Sequence, residues 1–108
     1  MKTLTNVTID DFNEDAIRVY FDIDGAEYFA TLSIGSHTLE MIDESFAHEF
    51  GVEKAFGYEF DATLLLTYLE DSEGVETTLD EDVLVNLKKI VLEEMQEMSS
   101  KDMYDAFN

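Results

Sequence analysis

The stretch AIRVYFDIDGAEYFATLSI, residues 16–34, decides the fold of this chain. Apolar and polar residues alternate through Ala16 to Asp22 and again through Glu27 to Ile34, the two-residue period of a strand with one buried face. Between them, Asp24-Gly25 is a strong signal for the tight hairpin turn whose two central residues both need positive φ. Centring the turn there pairs Ile23 with Ala26, Phe21 with Tyr28, Val19 with Ala30 and Ile17 with Leu32. Each pair falls on the same apolar face, so turn chemistry and hydrophobic pattern agree on register. The opposite face carries Arg18, Tyr20, Asp22, Thr31 and Ser33.

Working outward, Leu4 to Ile9 reads as a preceding strand. After the hairpin, Ser36 or Thr38 can cap a helix, with Leu39, Ile42, Phe46 and Phe50 at helical spacing and Gly51 as its left-handed stop. Its outer face would show Glu40, Asp43, Glu44 and His48. Residues 58–69 are rich in β-formers and read as a strand, although Phe60, Leu64 and Tyr68 also fit a helix. Ser72, Glu73 and Gly74 form a turn into a short strand near Val75 to Thr78. The strongest helix follows, with Asp80 as N-cap, Glu81 and Asp82 in the first turn and Leu79 stapling to Leu84. Leu84, Leu87, Val91, Met95 and Met98 make its stripe, and Val85 and Leu92 lie outside it. So wide an apolar surface calls for burial on two sides, within the domain or against a second copy. Ser100 to Phe107 adds a short helix or tail. The order predicts a single α+β domain over 1–108: an antiparallel sheet of four to five strands with two main helices packed on one face.

Composition narrows the function. Twenty-six Asp and Glu stand against six Lys and Arg, a net charge of −20 on 108 residues. Hydrophobic residues make up 45 %, so the acid excess is mounted on a folded body rather than a disordered one. At 12.3 kDa the folded surface is roughly 6000 Å², about 300 Å² per net charge. Duplex DNA has on the order of 100 Å² per charge. Such a surface repels nucleic acid and anionic membranes and attracts basic proteins. With no Cys there is no disulfide, thiolate metal site or Cys nucleophile. MKTLTNVTIDDF lacks the apolar core of a signal peptide, and a cytoplasmic protein is expected.

The carboxylates fall in runs. Asp10, Asp11, Glu14 and Asp15 occupy one loop; Glu70, Asp71, Glu73, Glu76, Asp80, Glu81 and Asp82 lie within thirteen residues, and no Lys or Arg occurs between Lys54 and Lys88. Charged loops are ordinarily just solvated, but soluble proteins intersperse both signs, and unopposed carboxylates cost stability. Other motifs fail on inspection. Asp22, Asp24 and Gly25 begin like a calcium loop but lack its later ligands and closing Glu. His48 with Glu44 has i, i+4 spacing, and His48-Glu49 opens a metalloprotease-like string, yet Val52 stands where the second His belongs. No phosphate loop, nucleophile elbow or basic patch is present, so neither an enzyme, a metal site, a cofactor nor direct nucleic-acid binding is expected.

In size and charge the chain resembles the small acidic DNA-mimic inhibitors, many encoded by phages or mobile elements, that block restriction enzymes, CRISPR effectors, repair enzymes or nucleoid proteins. The resemblance is compositional and spans the whole chain. It implies carboxylates placed like phosphates against a basic DNA-binding protein or nuclease, here the two runs above with Glu40, Asp43 and Glu44. An alternative with the same electrostatics is an immunity protein or antitoxin for one basic toxin, built around an aromatic or apolar anchor. A third is an accessory protein of a high-salt environment.

Overall fold

The computed structural model describes residues 2–41 and 58–107. Within them an antiparallel four-stranded sheet runs in the order β1-β2-β3-β4, followed by two helices, an α+β arrangement. The strands are β1 (Leu4–Phe12), β2 (Ala16–Ile23), β3 (Ala26–Met41) and β4 (Tyr58–Asp71); the helices are α1 (Glu81–Gln96) and α2 (Ser100–Phe107).

The β2–β3 hairpin has the register that its turn dictates, Ile23 to Ala26 through Ile17 to Leu32. Asp24 and Gly25 have φ of 51° and 86°, the left-handed pair this turn requires. The inward residues Ile17, Val19, Phe21, Ala30 and Leu32 are buried, joined from β4 by Tyr58, Phe60, Leu64 and Leu69. Helix α1 packs against β1 and β4, and α2 against β3. Their contribution to this core is Val83, Leu87, Val91, Met95, Met103 and Phe107.

Residues 58–69 are a strand, so the helical reading of Phe60, Leu64 and Tyr68 is set aside. Three further expectations are corrected. The helix predicted from Ser36 or Thr38 does not start there, because β3 continues to Met41 and pairs Ser36 with Thr63, Thr38 with Asp61 and Glu40 with Glu59. A register shift between Ile34 and Ser36 keeps His37 and Leu39 on the inward side. The long-range ladder with β4 overrides the helical spacing that Leu39 begins. The rest of that predicted helix, Ile42 to Gly51, lies outside the described residues. The strand near Val75 to Thr78 is a single bridge, Glu70 to Glu76, flanked by Thr77 N–H donating to Leu69 O (3.0 Å). On α1 the buried stripe is Val83, Leu87, Val91 and Met95, with Leu84 and Met98 only half-buried. Asp80 occupies the N-cap position in extended conformation, but its carboxylate makes no capping bond and pairs with Lys2 at 3.2 Å instead.

Because β3 and β4 outrun β1 and β2, residues 36–41 and 58–63 form a two-stranded arm. Sixteen residues at about 3.3 Å each give roughly 50 Å, which matches the 49 × 21 × 21 Å extents. At the arm's end, β4's outer edge is closed by a side chain. Gln96 accepts from Phe60 N–H (2.9 Å) and donates to Tyr58 O (2.5 Å), mimicking a strand and blunting an edge that would otherwise recruit one. The Tyr58 hydroxyl donates to the carbonyls of Met95 and Met98 (2.8 Å to Met98), tying the end of α1 to the arm. No described helix is long and apolar enough to cross a membrane.

Candidate functional site: a carboxylate-lined side of the sheet

Strand pleating sends alternate residues to opposite sides, so register alone sorts the charges. The side away from the buried residues carries Asp11 on β1, Asp22 on β2, Glu27 and Glu40 on β3, and Glu59, Asp61 and Glu70 on β4. Two pairs stand directly opposite each other across the ladder, Asp22 with Glu27 and Glu40 with Glu59. Like charges so placed are destabilising. Among the described residues, Arg18 is the one cation on this side, and Asp11 holds its guanidinium at 2.7 and 2.8 Å. The other described cations lie elsewhere: Lys2 beside Asp80, Lys88 and Lys89 on α1, and Lys101 beside Asp105 on α2.

From Glu27 to Glu40 is thirteen residues, or about 43 Å of strand. Seven carboxylates over that length give one per roughly 6 Å. One DNA strand carries a phosphate every ~3.4 Å. The linear density is therefore about half that of a single DNA strand.

Three of the seven are held by the side chain of another residue. Asn6, at a register shift of β1 with φ of 53°, donates its amide to Asp22 Oδ2 at 2.7 Å. Arg18 fixes Asp11, and the Tyr68 hydroxyl donates to Glu70 Oε2 at 2.6 Å. That last bond raises the Tyr68 phenol above its ordinary value, helped by desolvation and by the charges of Glu70 and Glu76. Tyr58 is raised too, first through burial, with the Asp102 charge adding to it and the bond to Met98 opposing it.

The runs predicted from sequence are distributed differently in space. Asp10 and Asp11 belong to β1 rather than a loop, because Asp11 pairs with Arg18 and Phe12 with Ile17 before the turn begins. Asp10 sits at the second β1 register shift and is exposed. Glu14 and Asp15 lie in the β1–β2 turn, where Asn13 Oδ1 accepts from the Asp15 and Ala16 amides. There Glu14 shares an open cleft of about 660 Å³ with Asp102 and Asp105 of α2. Glu70 points to the carboxylate side of the sheet. Asp71 turns the other way and accepts from the Glu73 and Val75 amides (2.9 and 3.1 Å), shaping the turn at Gly74. Glu73, Glu76, Asp80, Glu81 and Asp82 are exposed along the path into α1; Glu76 bridges back to Glu70 and adds its charge beside Tyr68, at the edge of the carboxylate side. Glu40 lies on a strand rather than a helix face, and Asp43 and Glu44 lie outside the described residues.

Of the expected site, the carboxylate side thus gathers Asp11, Glu40 and Glu70. It adds Asp22, Glu27, Glu59 and Asp61, which no run in the chain singles out. Their signal was alternation: each occupies an outward position of a strand whose inward positions are apolar. Comparison of the chain with protein-family models, curated proteins and solved structures finds no match.

Proposed function

We propose that this protein is a DNA mimic that binds a basic DNA-binding protein or nuclease and occupies its DNA site, acting in the cytoplasm without cofactor or catalysis. One observation carries the reading: among the described residues, seven carboxylates share one side of the sheet, two pairs of them directly opposed, with a single, already paired cation among them. In this reading both helices cover the apolar side and leave the carboxylate side open to the partner. Phosphate contacts dominate affinity for DNA and carry little base information, so a fixed anionic array can compete for the same groove.

The test is a low-salt pull-down eluted by a salt step, followed by competition between the protein and labelled duplex DNA for the captured target. Equimolar protein is expected to displace the duplex, with affinity falling steeply as salt rises. Displacement that ignores salt would refute the mimic. Exposed Tyr20 and Tyr68 on the same side favour a second reading, an immunity protein or antitoxin anchored on aromatic residues. Under it, one or two substitutions abolish binding, whereas a mimic weakens in graded steps.

A further inference from the structure

At the hairpin end, the carboxylate side is not uniformly polar. Tyr20 is 41 % exposed and Tyr68 36 %, and Leu65 stands beyond them at 62 %. Tyr20 pairs with Phe29 across the ladder, their ring centroids 5.0 Å apart and tilted by 50°. Phe29 in turn faces Glu70, and Tyr68 lies two residues before Glu70 on the same side, diagonal to Phe29. Diagonal neighbours of this kind sit about 7–8 Å apart. The Tyr20–Phe29 ring pair, with Tyr68 diagonal to it on the same side, makes an aromatic platform. Around it stand Asp22 and Glu27 one step toward the hairpin turn, Glu70 beside it, and Asp11 with Arg18 on the far strands.

An aromatic platform rimmed by carboxylates suits one kind of side chain above others. A guanidinium is planar, weakly hydrated, stacks on aromatic faces and bonds carboxylates bidentately, whereas an ammonium is a compact, strongly hydrated point charge. We infer that the Tyr20–Phe29–Tyr68 platform is the docking site for an arginine-bearing segment of the basic partner, with guanidinium groups stacked on Tyr20 and Tyr68 and bonded to the surrounding carboxylates. The inference rests on the proposed acidic binding face and adds its chemical selectivity, arginine over lysine.

The experiment titrates nona-arginine and nona-lysine, equal in length and charge, into the protein at low and high salt. Each exposed ring adds about two- to fivefold for arginine, so a preference of roughly fivefold or more is expected. The pair Tyr20→Leu and Tyr68→Leu is expected to erase that excess while leaving salt-sensitive binding of nona-lysine. Tyr20→Phe and Tyr68→Phe keep the rings and so keep the preference. In the unaltered protein, ring proton signals of Tyr20 and Tyr68 shift with nona-arginine, while those of Tyr104, 40 % exposed on α2, stay in place; this readout holds even if the leucine variants fold poorly. Equal binding of the two peptides with salt sensitivity intact overturns the platform alone. Failure of both peptides to bind at low salt overturns the acidic face itself. A concentration-dependent dimer that shifts the same ring signals without peptide overturns the choice of partner in favour of a second copy.

Discussion

The opposed pair Glu40 and Glu59 gives the carboxylate side its sharpest test, because stability and binding must respond to it with opposite signs. Directly opposite residues on a ladder have Cβ atoms about 4.5–5.5 Å apart, and the two exposed carboxylates can splay to roughly 6 Å. At that separation in water, repulsion is about 0.7 kcal/mol. Screening leaves about 0.6 kcal/mol at 10 mM salt, where the Debye length is ~30 Å, and about 0.1 kcal/mol at 1 M, where it is ~3 Å. Glu40→Gln and Glu59→Gln are therefore each expected to stabilise the fold at low salt, raising the urea midpoint by about 0.2–0.6 M. The second substitution adds less than the first by the coupling of about 0.6 kcal/mol, and the coupling fades at 1 M. On the proposed function the same substitutions remove charges that would face a cationic partner, and each is expected to weaken low-salt binding of nona-arginine by about two- to fivefold. Urea titrations of the four proteins at both salts, with parallel binding titrations, read both effects. A single substitution that destabilises the fold at 10 mM, or a coupling unchanged at 1 M, refutes the opposed placement. Substitutions that stabilise yet leave binding untouched refute its use.

Three other outcomes follow from the contacts around the arm. Tyr58→Phe leaves the Met95 and Met98 carbonyls without their side-chain donor and is expected to cost about 1–3 kcal/mol, seen as a lowered thermal midpoint. Gln96→Leu reopens the β4 edge, and the Phe60 amide, now without its acceptor, is expected to exchange with solvent faster in hydrogen-exchange measurements. Because Tyr58 and Tyr68 are both raised above the ordinary phenol value of 10.0, folding favours their neutral forms. Their contribution to stability is complete below pH 10 and is lost as pH climbs through the raised values. Phenolate absorbance is expected to show two tyrosines titrating late, and Glu70→Gln brings Tyr68 back toward 10.

The parts of the fold that were legible in the sequence are those fixed locally. Asp24-Gly25 allows one tight turn, and the alternation on both flanks allows one register, so the hairpin follows from nineteen consecutive residues. Acids in the first turn and an apolar stripe likewise announce α1 wherever it packs, although the stripe's true centre, Val83 to Met95, depends on what it packs against. The arm is different. Glu40 meets Glu59 and Tyr28 meets Asp71, separations of nineteen and forty-three residues that no local rule encodes. Spacing at Leu39 then spoke for a helix, and only the ladder with β4 overrules it. The site inherits this limit. The run 70–82 is conspicuous along the chain, yet only Glu70 of it stands on the outward side of a sheet strand, with Glu76 bridged beside it, whereas Glu27, Glu59 and Asp61, each flanked by apolar residues, converge only once four strands are in register.

How the seven carboxylates are held argues for a division of labour among them. Asp11, Asp22 and Glu70 are each fixed by a donor from Arg18, Asn6 or Tyr68, and these three surround the exposed rings at the hairpin end. An array that competes with a duplex gains when its charges are already in place, because ordering a loose side chain at an interface costs about 0.5–1.5 kcal/mol. Glu40 and Glu59, at the arm's end, have no such tether in the described contacts and repel each other. On the proposed function their contribution would be to the long-range field, which speeds encounter and falls with salt. On the proposed function, substitutions at the hairpin end then slow nothing but shorten the lifetime of the complex, while substitutions on the arm reduce the association rate and leave the lifetime nearly unchanged. The three acid-on-acid adjacencies, Asp22–Glu27, Glu40–Glu59 and Glu70–Glu76, together cost on the order of 1–3 kcal/mol. Against a typical domain stability of about 5–15 kcal/mol, that is a burden a sheet relieves with one Lys per pair, unless the charges themselves are what the surface is for.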